Sequence, residues 1–337
     1  MKKFFQNPAT IFALFLILFS VSCKNNQLDV DVSDIEVKLD IRRFEEDLFE
    51  NRLTDYSGFS AKYPNFLNAY TQAILGFPGN DTEAFNQLML FKTDVNAKKM
   101  YQFVKEKYHD FTPYENDLTK AYRYFKYYFP NEKIPAVITY TSNFSFYMNP
   151  IGEDYIGIAL DMHMGQGFVP YKYTNIENYW KKVLEPATIV PLHMLAHANG
   201  LFSGTNRKEN FTDEMIYWGK LLYFLDATTP WVEDHLKIGM TKQELEWCRN
   251  EESNIWAFFV KEKYLYETDS RRFDRLFREG PKTVASGVPE DTPAMIGKFA
   301  GWMAVRKYME ENRKVTLSEL MNDSNAKGIL DKSGYKP

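Results

Sequence analysis

Helix-start signals recur along this chain and constrain its fold more than any other feature. Thr112-Pro113-Tyr114-Glu115 combines the spacing of a capping box with proline at the first helical position. Thr241-Lys-Gln-Glu244 repeats the capping-box spacing, and the apolar residues after it predict one long helix that continues to Phe259. Residues 43–130 have the same helical character throughout. The pattern therefore predicts a mainly α chain.

Strand character is confined to three short stretches. Residues 35–41 alternate between apolar and polar side chains, which predicts a strand over those residues. Residues 136–140 and 155–160 are rich in β-branched and aromatic residues. No change of composition divides residues 35–337. We therefore expect a mainly α (α+β) fold, in which one domain contains a small β-sheet and a helical N-terminal part (residues 43–130).

The composition supports a large core and argues against one class of partner. The 337 residues are 45% hydrophobic and 16% aromatic, which is enough to form a sizeable core. The formal net charge is −4. Because the chain lacks the broad basic field that attracts phosphates, we do not expect a nucleic-acid partner.

The N-terminus resembles a lipoprotein signal. Residues 1–22 contain two lysines, then an apolar run, then the small residues that precede Cys23. We predict cleavage before Cys23, acylation of its thiol and a polar tether over residues 23–34, with attachment to the membrane through the acyl chains. An ordinary secretory signal followed by an incidental cysteine is the alternative. The chain that remains has no second cysteine except Cys248, so acylation of Cys23 excludes an intrachain disulfide.

The candidate metal residues lie in His193-Met194-Leu195-Ala196-His197. Two histidines four residues apart share one face of a helix, and zinc peptidases with an H-E-x-x-H motif use this spacing. Met194 stands where that mechanism requires a glutamate as its base. We expect a short helix of about eight residues that ends at Asn199-Gly200. The next helix, capped by Thr212, would offer Glu214 or Asp213 as a third ligand.

The residues alone favour neither a metal site nor an enzyme. The chain has no G-x-S-x-G motif, no P-loop, no dinucleotide-binding fingerprint and no C-x-x-C pair. We therefore assign no catalytic residue and no cofactor. Zinc on His193, His197 and Glu214 remains the alternative, and it would make the protein a peptidase-like hydrolase with unusual ligands. A third alternative is a lipoprotein that binds a solute or peptidoglycan through its aromatic-rich helices.

Several separated stretches resemble the gliding-motility lipoprotein GldB family of Bacteroidetes. They are Tyr155-Ile-Gly-Ile-Ala-Leu-Asp161, Asp213-Glu-Met-Ile-Tyr-Trp-Gly-Lys-Leu-Leu-Tyr-Phe-Leu-Asp226, Ile238-Gly-Met-Thr241, Trp247-Cys248, Asn250-Glu-Glu252, Ile255-Trp256, Pro293, Ile296-Gly297, Gly301-Trp302 and Ser333-Gly-Tyr-Lys-Pro337. The resemblance implies a cell-envelope lipoprotein required for gliding motility and for type IX secretion, with other gliding and secretion proteins as partners. It implies no enzymatic activity.

This family is distantly similar to predicted zinc peptidases, which implies a zincin-like scaffold. On that similarity the third ligand would fall at Trp218, before Gly219, where no metal can be held. Because Met194 and Trp218 replace both glutamates, the resemblance favours a pseudoenzyme. Residues 24–27 lack the acids that mark surface export in these bacteria. We therefore expect a palmitate-type anchor on Cys23 at the periplasmic face of the outer membrane.

Overall fold

The computed structural model describes residues 28–144, 149–205, 209–285 and 287–337. The predicted signal peptide and Cys23 lie outside the described residues. Residues 32–337 form one compact unit. Within the described ranges, no helix combines the length and the hydropathy needed to cross a bilayer. The mainly α fold with a small sheet is confirmed.

The chain enters the compact unit through a short strand followed by a succession of helices. The strand and helices are β1 (Ile41–Arg43), α1 (Phe44–Phe49), α2 (Tyr56–Lys62), α3 (Phe66–Asn68, continued by a π-helical turn over Ala69–Ile74), α4 (Asp81–Phe91), α5 (Val95–Lys107) and α6 (Thr112–Tyr128). The predicted start of α6 is right, but its predicted capping box is wrong. Phe111 is the N-cap residue, and Asp110 accepts the hydrogen bond from the Thr112 amide at 3.0 Å.

The sheet contains three parallel strands in the order β1-β2-β3. β2 is Ala136–Tyr140 and β3 is Tyr155–Ala159, with Ile41 opposite Val137 and Ala136 opposite Tyr155. Every residue of β2 and β3 is buried, as expected for parallel strands that are covered by helices. After β3, a 3₁₀ turn over Leu160–His163 carries Asp161 into the interior.

The predicted strand over residues 35–41 is wrong for residues 35–40. The apolar side chains of Ile35, Val37 and Leu39 are half-buried and their neighbours are exposed, so the alternation exists. Strand pairing nevertheless begins at Ile41, where the chain first lies beside β2. An alternating pattern indicates which side chains face the core. A β-strand also needs a neighbouring strand with which its backbone can form hydrogen bonds.

The C-terminal half is helical. Its helices are α7 (Asn178–Lys181), α8 (Ile189–Phe202), α9 (Phe211–Thr228), α10 (Asp234–Ile238), α11 (Lys242–Asn250), α12 (Glu252–Lys261), α13 (Ser270–Phe273), α14 (Ile296–Glu311), α15 (Leu317–Asn322) and α16 (Ala326–Ser333). The capping box of Thr241 and Glu244 is confirmed. The single long helix predicted after it is wrong, because the chain turns at Glu251 and forms α11 and α12.

Helices α9 and α14 form the centre of the helical half. Both are buried over most of their length, including the charged residues Lys220 and Asp226 of α9 and Lys298 of α14. They cross at two glycines. A Cβ built on Gly219 would lie 2.2 Å from the carbonyl oxygen of Gly301, and one on Gly301 would lie 1.9 Å from that of Met215. The two backbones are therefore in contact at this crossing. Any residue larger than glycine at position 219 or 301 would force the two helices apart.

Candidate functional site

Helix α8 carries both candidate histidines and turns them toward α6. The helix extends over Ile189–Phe202, so the prediction of about eight residues ending at Asn199-Gly200 is wrong. Gly200 lies inside the helix at a negative φ, and the chain continues through it. His193 is completely buried and His197 is 5% exposed. The imidazole of His197 packs against the ring of Phe125 with centroids 4.6 Å apart.

The Nδ1 atom of each imidazole, in His193 as in His197, is buried without a hydrogen-bond partner. Nε2 of His193 lies 2.9 Å from the hydroxyl of Tyr122, which comes from α6. A neutral imidazole that donates from Nε2 to Tyr122 would leave a lone pair at Nδ1, which costs less to bury than an N–H group or a charge. The environment therefore favours the neutral ring.

Burial lowers the pKa of both histidines. The pKa of His193 falls to about 3, because burial penalises its charged form and His197 lies close to it. Burial lowers the pKa of His197 to about 4. His163, next to β3, is also buried, and its pKa falls to about 4 for the same reason. These rings are uncharged throughout the physiological pH range and act as polar parts of the core.

We predict that acid weakens the fold between pH 7 and pH 5. The unfolded histidines bind a proton below about pH 6.5, whereas the folded ones do not until about pH 4. Each buried histidine should therefore lower the free energy of unfolding by about 2 kcal/mol over this range. Buried Asp161, whose pKa is raised to about 6 by burial, acts in the opposite direction by about 1 kcal/mol. Urea unfolding at the two pH values measures the net loss.

The matched variant for this prediction is His197→Phe, which keeps an aromatic ring against Phe125. It should reduce the loss between pH 7 and pH 5 by about 2 kcal/mol, since one titrating group is removed. A free energy of unfolding that does not change with pH in the wild type would contradict the burial of neutral histidines.

Among the described residues, neither Asp213 nor Glu214 joins this pair in a group that could hold a metal. Met194 is completely buried in the core. Asn210, and not Thr212, caps α9, and its side chain accepts a hydrogen bond from the Asp213 amide at 3.0 Å. The carboxylate of Asp213 accepts from the side chain of Asn210 at 2.8 Å. Glu214 accepts a hydrogen bond from the indole of Trp218 at 2.8 Å.

Trp218 lines a pocket that borders α8 on the side away from His193 and His197. The ammonium group of Lys298 lies 3.8 Å from the centroid of the Trp218 ring and 2.6 Å from a carboxylate oxygen of Glu279. Leu192 and Leu195 of α8 also line this pocket, whose volume is about 390 Å³. Within the described ranges, neither histidine of α8 lines it. The sequence did not indicate this pocket, because its lining comes from segments far apart in the chain.

The donor set around the histidines does not fit zinc. A protein zinc site needs at least three side-chain ligands. Among the described residues, no group of three or more histidines, cysteines or acids is placed to hold a metal. One of the four imidazole nitrogens, Nε2 of His193, already bonds to Tyr122. We derive no chemical step that uses a metal at this position.

Cys248 is the cysteine that the described residues contain, and it is inert. It is completely buried, and burial raises the pKa of its thiol to about 12. A thiol in this state is neither a nucleophile nor a metal ligand at neutral pH. The Cys248 side chain therefore serves as part of the packed core.

The comparisons with known proteins gave one match. A family model described as "Gliding motility protein GldB" matches residues 25–337, which is nearly the whole chain. No curated protein and no solved structure matches the chain significantly.

Proposed function

The chain belongs to the GldB gliding-motility lipoprotein family, and from that premise we propose that it is a non-catalytic, membrane-anchored component of the gliding apparatus. It acts through contacts with other envelope proteins and supports the associated type IX secretion machinery. The observation that carries this proposal is the family match over residues 25–337. The match includes residues 25–34 of the tether and every helix described above, so the likeness is not limited to one motif.

The geometry of α8 supports the non-catalytic part of the proposal. Catalysis by a zinc peptidase needs a metal-bound water and a carboxylate beside it. Here the position of that carboxylate holds Met194, which is buried in the core, and the position of the third ligand holds Trp218. The two imidazoles face the aromatic side chains of Tyr122 and Phe125. Tyr122 and Phe125 provide the two imidazoles with packing contacts and one hydrogen bond. This environment favours a structural role for the histidines over a role in hydrolysis.

The anchor places the protein at a membrane. We propose that Cys23 carries palmitate-type acyl chains and that residues 24–34 connect them to the compact unit. Several acyl chains on one residue give stable attachment, whereas one chain binds reversibly. The absence of acids in residues 24–27 favours the periplasmic face of the outer membrane.

Fatty-acid labelling of cells tests the anchor with a control that the chain itself provides. The sequence contains two cysteines, Cys23 and Cys248. We expect Cys23→Ala to abolish incorporation of labelled palmitate, because it removes the acylated thiol. Cys248→Ala should incorporate the label normally, since that thiol is buried in the core. Label that persists in Cys23→Ala would refute acylation at this position.

The motility part of the proposal is tested by separating the protein from its anchor. In the test strain, the only copy of the protein begins at Lys24 and is exported without a lipid. The compact unit should then fold in the periplasm. We expect these cells to lose gliding and to release less type IX cargo, because the partner surface is no longer held at the membrane. Normal gliding with the unanchored protein would show that attachment is dispensable.

A further inference from the structure

The pocket beside α8 is a concave site that the proposed function does not use. Leu192, Leu195 and Ala196 form one wall, and all three are partly exposed although they are apolar. Leu222 of α9 and Ile238 of α10 line other parts of it. The volume of about 390 Å³ lies in the range of small-molecule sites. Apolar side chains make up most of the described lining, and the aliphatic ones outnumber the aromatic ones, which suits a flexible alkyl chain.

The charged side chains of the described lining are mostly basic. They are Lys182, Lys237, Lys298 and Glu279. Lys237 is 4% exposed and Lys298 is 5% exposed, so both side chains are buried in the wall. Each of these lysines has a carboxylate partner: Lys182 pairs with Glu244, Lys237 with Asp226 and Asp234, and Lys298 with Glu279. Of these acids, only Glu279 is a lining residue among the described residues.

We infer that this pocket binds a free medium-chain fatty acid, with the alkyl chain against the leucines and the carboxylate near the lysines. Decanoate is a ligand of the size that a volume of about 390 Å³ admits. A carboxylate leaves water only where opposite charge and hydrogen-bond donors replace its hydration, and lysine ammonium groups provide both. The inference goes beyond the proposed function, because a gliding component that acts through protein contacts needs no small ligand.

Calorimetric titration of the unlipidated chain from Lys24, which contains the whole compact unit, tests the ligand class. The probes are hexanoate, octanoate, decanoate, decanol, decyltrimethylammonium and a zwitterionic lysophospholipid with a decanoyl chain, each below its micelle concentration. We expect decanoate to bind at least tenfold tighter than decanol. From hexanoate to decanoate, each methylene should tighten binding about fourfold. Equal binding of decanol, of the cation or of the lysophospholipid would overturn the assignment to a free fatty acid.

Ala196→Phe tests the location. Ala196 is a partly exposed residue of the wall, so a phenyl group there should occupy the pocket without disturbing the core. Ala61→Phe is the matched control, because Ala61 is an exposed residue of α2. We expect Ala196→Phe to weaken decanoate binding at least tenfold and Ala61→Phe to leave it unchanged. Unchanged binding by a folded Ala196→Phe protein would place the ligand elsewhere.

The double variant Lys298→Met/Glu279→Gln tests the carboxylate contact. It removes both members of the ion pair at 2.6 Å, so neither charge is left unpaired. We expect decanoate to bind at least threefold more weakly while decanol binds as before. An equal change for the two ligands would overturn the role of Lys298.

Discussion

Gly301→Ala is expected to lower the free energy of unfolding by about 3 kcal/mol, the cost of overpacking after a small gain in helix propensity. The new Cβ would lie 1.9 Å from the carbonyl oxygen of Met215, a distance that real Cβ atoms do not show. The obstructing atom belongs to the backbone of α9, so no flexible side chain can move away. The two central helices must separate, and the apolar contacts along both of them weaken.

A helical glycine elsewhere provides the control for this prediction. Gly58 lies in α2, and the nearest atom to a Cβ built there is the side-chain Cδ2 of Leu53, at 3.3 Å. Gly58→Ala should change the stability by less than about 1 kcal/mol, because a small movement of that side chain offsets the gain in helix propensity. Denaturant unfolding of both variants measures the difference. Equal stability of Gly301→Ala and Gly58→Ala would contradict the close crossing of α9 and α14.

Asp226→Asn is expected to lower the free energy of unfolding by about 3 to 5 kcal/mol, the usual cost of removing one partner from a buried ion pair. Asp226 is 5% exposed and accepts a hydrogen bond from the ammonium of Lys237 at 3.0 Å. The Arg306 guanidinium donates two hydrogen bonds to it, and the Trp302 indole donates another at 2.8 Å. An asparagine would place an amide N–H group against one of these donors. Among the described residues, Lys237 and Arg306 would keep only the partly exposed carboxylate of Asp234 as a partner.

An exposed ion pair provides the matched control. Asp331 bonds to Lys327 at 3.1 Å on the surface of α16, with 64% of its side chain exposed. Asp331→Asn should change the stability by less than about 0.5 kcal/mol, since exposed pairs of this kind contribute little. Urea unfolding at pH 7 compares the two variants. If Asp226→Asn were as stable as Asp331→Asn, the buried network would not contribute to the fold.

The elements that could be predicted from the sequence are those specified by local chemistry. The capping box of Thr241 and Glu244 marks a helix start because its hydrogen bonds lie within four residues. The strands β2 and β3 were located by their β-branched and aromatic composition. Local sequence signals predicted the ends of helices less reliably than their presence. The glycine at position 200 suggested a helix end, yet α8 continues because this residue keeps an ordinary helical conformation.

The features that could not be predicted depend on residues far apart in the chain. Asp226 and Arg306 each look like an ordinary helix residue, and their pairing exists only once α9 and α14 pack together. The touching glycines at positions 219 and 301 likewise need both helices in place. The histidine spacing was visible, but the neighbour that bonds to His193 was not, because Tyr122 comes from α6.

The most direct measurement of the central claim is the gliding speed of cells whose only copy carries His193→Gln/His197→Phe. Glutamine can still bond to the Tyr122 hydroxyl, phenylalanine can still pack against Phe125, and the pair of imidazoles that could hold a metal is gone. The speed is compared in cells whose membranes contain as much variant as wild type. A structural role for α8 predicts wild-type speed. Loss of gliding at equal protein level would contradict it and assign the histidines to chemistry.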